Sequence, residues 1–155
     1  MVYVIAAAIA LFLLYLYYRS FDGGKGVAFE KDDPRLLVAK QKARETLPAF
    51  WAALERGDPA DENFMLKFNL NHGTGSIDNE SIWADHLVRR EGRIFGALAN
   101  EPINPAYRID QEVEILPEAI DDWGFFRDGV AQGNYITRLM IEAALPRKSE
   151  NATWA

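Results

Sequence analysis

No cysteine occurs anywhere in the 155 residues. Disulfides, thiolate metal sites, a cysteine nucleophile and a lipidated N-terminal cysteine are excluded together, although the compartment stays open. Histidine is scarce: His72 and His86 are the only two. Zinc needs three or four converging ligands, so no metal centre is expected, nor any other cofactor. Charge is missing from the start of the chain, where Arg19 is the only charged residue among the first twenty. The remainder carries 16 basic against 23 acidic side chains. An acidic domain without a basic stripe cannot neutralise phosphates well, so no nucleic-acid partner is expected. The string Gly23-Gly24-Lys25-Gly26 follows a hydrophobic run rather than a strand and lacks the Lys-Ser/Thr of a phosphate loop.

What is present begins with that run. Val2 to Tyr18 has no charge, glycine or proline. As a helix it would span roughly 26 Å, close to the ~30 Å of a bilayer core. No basic residue precedes it, and it ends in Tyr15, Tyr17, Tyr18 and Arg19, an interfacial belt rather than a signal-peptide cleavage site. The reading is a single-pass anchor over residues 1–20 and a glycine-rich linker over 21–32. Ala6 and Ala10 have the spacing of a helix-packing pair, or they simply face lipid. Arg19, Lys25 and Lys31 follow the span, which places the soluble part on the cytoplasmic side of a bacterial inner membrane, with the periplasm as the alternative.

The soluble part, residues 33–146, reads as α+β, followed by a polar tail over 147–155. Asp33-Pro34 is an N-cap followed by a first-turn proline. Leu36, Ala43, Leu47, Phe50 and Leu54 give the helix one apolar face, Pro48 should kink or split it, and Gly57 ends it. Phe64 to Leu70 alternates as a strand. Ile82 to Val88 and Arg93 to Leu98 form a hairpin around the connector Arg89-Arg90-Glu91-Gly92. Trp83 and Leu87 fall on one face; Ile82, Ala84 and Val88 fall on the other. Both faces should therefore be at least partly covered. Gly96 inside a strand marks a bulge or a close approach. Further strands are expected over 112–116 and 122–126, with Asn134 capping a last helix over 135–145. The expectation is a small antiparallel sheet packed with an N-terminal and a C-terminal helix.

With these elements placed, the chain resembles the bacterial YegJ-like family of domains of unknown function over roughly residues 39–141. The residues that carry the likeness are Ala43-Arg44, Leu47 and Phe50, then Phe64 and Lys67, then Glu80, Ile82 and Trp83. It continues through Gly96, Leu98, Asn100 and Pro102, then Ile120, Asp122 and Trp123, and closes on Gly133, Tyr135, Thr137 and Arg138. The resemblance implies a compact α+β domain and no chemistry.

Two readings of the polar positions stand side by side. Asp122 and Asn100 can hold turns through backbone N–H groups, and Arg138 can pair with Asp122 or Glu80. Alternatively Trp83, Asn100, Asp122, Trp123 and Arg138 line a binding groove. No catalytic set stands out, and the chain is read as non-enzymatic. The expected function is a membrane-anchored protein-interaction domain with a protein partner. The alternatives are an accessory subunit of a membrane complex, or a hydrolase pairing His72 or His86 with a carboxylate.

Overall fold

The computed structural model describes residues 29–76 and 78–144. The expected membrane segment over 2–18, with Ala6 and Ala10, lies outside them, as does the tail over 147–155. Among the described residues, no helix is long and apolar enough to cross a membrane.

Helix α1 runs Pro34–Arg56. Asp33 caps it by accepting the Arg35 N–H at 2.9 Å, and Gly57 closes it in the left-handed region, φ 64°. These ends follow the sequence signals. The expected split at Pro48 is absent: the helix runs through it without a break. Strands follow at β1 (Asp61–Asn69), β2 (Ser81–Arg90), β3 (Arg93–Leu98) and β4 (Glu112–Ile115). A 3-10 turn at Pro117–Ala119 leads into β5 (Ile120–Arg127), β6 (Val130–Gly133) and helix α2 (Tyr135–Ala144). One six-stranded sheet results, in the order β4-β3-β2-β1-β5-β6, with antiparallel neighbours throughout. The α+β class with an antiparallel sheet and two helices is as expected; β6 has no counterpart in the sequence reading.

The register fixes the core. Leu66 lies opposite Ala84 on one side and Trp123 on the other, and Ala84 lies opposite Leu98. Phe50 of α1 sits over this face, its ring 5.5 Å from both Phe64 and Trp123 and 6.3 Å from Phe125. It is wholly buried, and a ring so placed stabilises by roughly 1.5–3 kcal/mol. Ala39, Ala43 and Ala53 are also buried, whereas Leu36, Leu47 and Leu54 are half-buried. The helix thus packs through a row of alanines, closer to the sheet than a leucine row would allow.

The hairpin differs from expectation in two ways. Arg90 pairs with Arg93, so the loop is Glu91-Gly92 alone, both with positive φ (51° and 76°). That is the two-residue turn whose twist matches the strands. Second, β2 is bulged between Asp85 and Val88, with His86 at φ 47°. The extra residue turns Leu87 into the core and Val88 outward, the reverse of simple alternation. Gly96 is a close approach, as expected: a Cβ there would meet Leu87 Cδ2 at 2.8 Å. The expected partial cover of both faces is present, thinner on one of them. On the face opposite α1, Trp83, Asp85, Phe95 and Ala97 are all only half-buried.

Candidate functional site

Asp122 and Trp123 sit where both helices meet β5. Asp122 is fully buried. Its carboxylate accepts from the N–H groups of Trp123 (2.9 Å), Tyr135 (3.2 Å) and Ile136 (2.8 Å). The first N–H groups of a helix have no partner within it, so Asp122 does the capping expected of Asn134. Asn134 instead turns the chain at φ 55° and donates to Gln132 O at 2.8 Å. Burial pushes the Asp122 carboxyl above its ordinary range, against the pull of the three N–H groups and of Lys67.

Trp123 ties the sheet to α1. Its indole N–H donates to Ala43 O (3.0 Å) and to Thr46 Oγ1 (3.2 Å), one turn before Pro48. Two glycines make room at this junction. A Cβ on Gly133, at φ 67°, would lie 2.4 Å from the Trp123 ring and carbonyl. One on Gly124 would lie 2.5 Å from the Asn134 side chain.

The other candidate residues are elsewhere. Arg138 is exposed and donates to Ala131 O at 3.0 Å; it pairs with neither Asp122 nor Glu80. Trp83 lies half-buried under the Lys67 ammonium, 5.6 Å away. Lys67 stands between Trp83 and Asp122 in the register. Burial pushes its ammonium below the ordinary lysine range, with Asp122 and Asp121 opposing. Asn100 is half-buried in the bend after β3, and its side chain makes no hydrogen bond among the described residues. The five positions therefore do not share one surface: two are packed at the junction and three are dispersed around it.

A second region was less legible. At one end of the sheet Glu80 accepts from the N–H groups of Ile103 (2.5 Å) and Asn104 (3.0 Å). Asn104 Nδ2 donates to Asn71 Oδ1 at 2.8 Å, and Asn69 Oδ1 accepts from the N–H groups of Asn71 and Glu80. This network ties Asn69, Asn71 and Glu80 to the loop at Ile103 and Asn104. Beside them is a cavity of about 90 Å³ with a mixed lining: Phe68, Leu70, Tyr107, Val113 and Leu116 together with Asn69, His72, Thr74 and Glu114. Ile103 is 88 % exposed, and Ile109 and Leu116 are exposed nearby in the chain. The only signal in the sequence was three isolated aliphatic residues in polar loops. His72 Nε2 stands 4.0 Å from Glu118 Oε1, beyond hydrogen-bond reach. His86 Nδ1 is 2.7 Å from Asp85 on the exposed bulge, and that carboxylate raises its pKa. Among the described residues, no cluster of three metal-ligating side chains occurs.

Fold and sites define a small α+β domain with one antiparallel sheet and a helix-capping aspartate at its junction. The chain belongs to the bacterial family described as an uncharacterized protein conserved in bacteria (DUF2314), whose model matches residues 33–152. That is the class which the resemblance implied; the narrower YegJ-like name is not part of the match. No curated protein and no solved structure matches.

Proposed function

We propose that this chain is a membrane-tethered, non-enzymatic domain that binds a protein partner at the loop end of its sheet. The observation that carries the reading is Ile103, 88 % exposed, on a loop whose backbone Glu80 holds at Ile103 and Asn104. Ile103, with Ile109 and Leu116 exposed nearby in the chain, supplies apolar surface for a partner to cover. The tether is the uncharged run over 2–18. The cations that follow it favour the cytoplasmic face of the bacterial inner membrane. The residue pattern over 39–141 supports reading the chain as a YegJ-like member of its family.

The absence of cysteine makes the test clean. Ile103→Cys and Val130→Cys full-length chains, each carrying a photo-crosslinker on the single thiol, are irradiated in membranes. A protein adduct at position 103 and none at 130 is the expected result. Adducts at both, or at neither, would remove the reading. If the partner is lost when the chain starts at Lys31, the accessory-subunit alternative takes over, with packing through Ala6 and Ala10.

A further inference from the structure

The two edges of the sheet are finished differently. On β6, side chains take the backbone carbonyls one after another. Gln132 donates to Val130 O (3.1 Å), Arg138 to Ala131 O (3.0 Å) and Asn134 to Gln132 O (2.8 Å). β4 is bare: among the described residues, no side chain bonds its backbone. Its one neighbour is β3. The Leu98 N–H donates to Gln111 O. The alternation of an antiparallel ladder then turns the N–H and C=O groups of Glu112 and Glu114 outward. A row of unpaired backbone groups is a template for another strand.

We propose that β4 takes an extended segment of a partner protein as a seventh strand, one in which Lys or Arg alternates with aliphatic residues. This rests on the protein-binding reading above and names the partner's chemistry. Side chains of an added strand alternate between the faces of the sheet. On one face they meet Glu112 and Glu114; on the other they meet Val113 and the cavity that Val113 and Leu116 help to line. Arg90 and Arg93 already bond the two glutamates. The uncompensated charge lies just beyond each end of the strand, at Asp110 and Glu118. Neither has a Lys or Arg partner among the described residues. A second copy of this chain fits poorly. Pairing β4 with β4 would set Glu112 and Glu114, each already held by an arginine, against their own counterparts and bring no cation to Asp110 or Glu118. The occupant is therefore a different, basic chain.

The test uses the full-length chain in detergent micelles and a synthetic peptide of about ten residues alternating Lys and Val. Amide hydrogen exchange is read residue by residue. The Glu112 and Glu114 amides should slow by about tenfold or more at saturating peptide, with Val130 to Gly133 unchanged. A Glu-Val peptide, and a Lys-Val peptide N-methylated at alternate residues, should each bind at least about tenfold more weakly. Glu114→Lys should weaken the Lys-Val peptide by a similar factor; should that variant not fold, the N-methylated peptide carries the same test. Protection on β6, no protection on β4 at saturation, or equal affinity for the N-methylated peptide would each overturn strand addition. If β4 stays unprotected while the Ile103 crosslink forms, only the strand mode fails. If the crosslink is also missing, the protein-binding reading fails with it.

Discussion

Asp122 and Glu80 perform the same operation in different surroundings. Each is a carboxylate that captures two successive backbone N–H groups of a later segment: Tyr135 and Ile136 for Asp122, Ile103 and Asn104 for Glu80. Asp122 is wholly buried and starts a helix; Glu80 is half-buried and holds a loop. Around Asp122 every polar group is satisfied within the protein and the neighbours are aromatic. Around Glu80 the loop is just as well tied down, yet it presents aliphatic side chains to water. Burial turns one capture into a structural joint. Exposure makes the other a rigid platform. A loop ordered at this cost in entropy, with Ile103 left exposed among the described residues, is what the proposed partner surface rests on.

Substitutions can break that contrast, most strongly at the joint. Trp123→Ala should cost about 3–5 kcal/mol, through the lost ring and the lost tie to Ala43 and Thr46. The denaturant midpoint reads it; a loss below about 1 kcal/mol would show that the junction is not central. Gly133→Ala should cost about 2–4 kcal/mol, because its Cβ meets the Trp123 ring and carbonyl at positive φ. Asp122→Ala should cost about 2–3 kcal/mol by stranding buried N–H groups at the start of α2, seen as a lower midpoint and faster amide exchange at Tyr135 and Ile136.

Charge sharpens the comparison further. Asp61 accepts both Nε and a terminal nitrogen of Arg127 at 2.6 Å, and bonds Arg56 at 2.7 Å. The Arg127 guanidinium, then Arg56, holds the Asp61 carboxyl below its ordinary range. A carboxyl depressed in the folded state contributes stability above the unfolded pKa and loses it as pH falls through the folded one. The stability gap between the native chain and Asp61→Asn should therefore be widest near about pH 7 and close toward about pH 3. A gap independent of pH would dismiss the ion pairs as its cause. The smallest effect belongs to the platform. Ile103→Ser should shift stability by no more than about 0.5 kcal/mol while removing partner capture. A large loss of stability would make it a core residue.

What was legible in the sequence was local. Asp33-Pro34 and Gly57 mark both ends of α1 through their own backbone preferences. Gly92 marks the hairpin, although two residues rather than four make the loop. The bulge at His86 was invisible, because nothing about a histidine announces a positive φ; the ladder imposes it. β6 was missed because Val130-Ala131-Gln132-Gly133 has no alternation and is a strand only by pairing with β5. The cap of α2 was assigned to Asn134 because capping is usually sequential, whereas Asp122 supplies it from across a hairpin. Asp122 and Trp123 stood out in the sequence, but their partners, Ala43 and Ile136, are set by the tertiary fold.

The strand order has a consequence for synthesis. β1 to β4 are neighbours in both sequence and space, so they can pair as they leave the ribosome. α1 cannot wait so easily. The aromatic partners of Phe50 on β5, Trp123 and Phe125, emerge some seventy residues after it. Until then the first helix made has Phe64 of β1 for its apolar face and lacks its partners on β5. Under the proposed tether, the nascent chain would wait for its fifth strand at the membrane rather than free in solution.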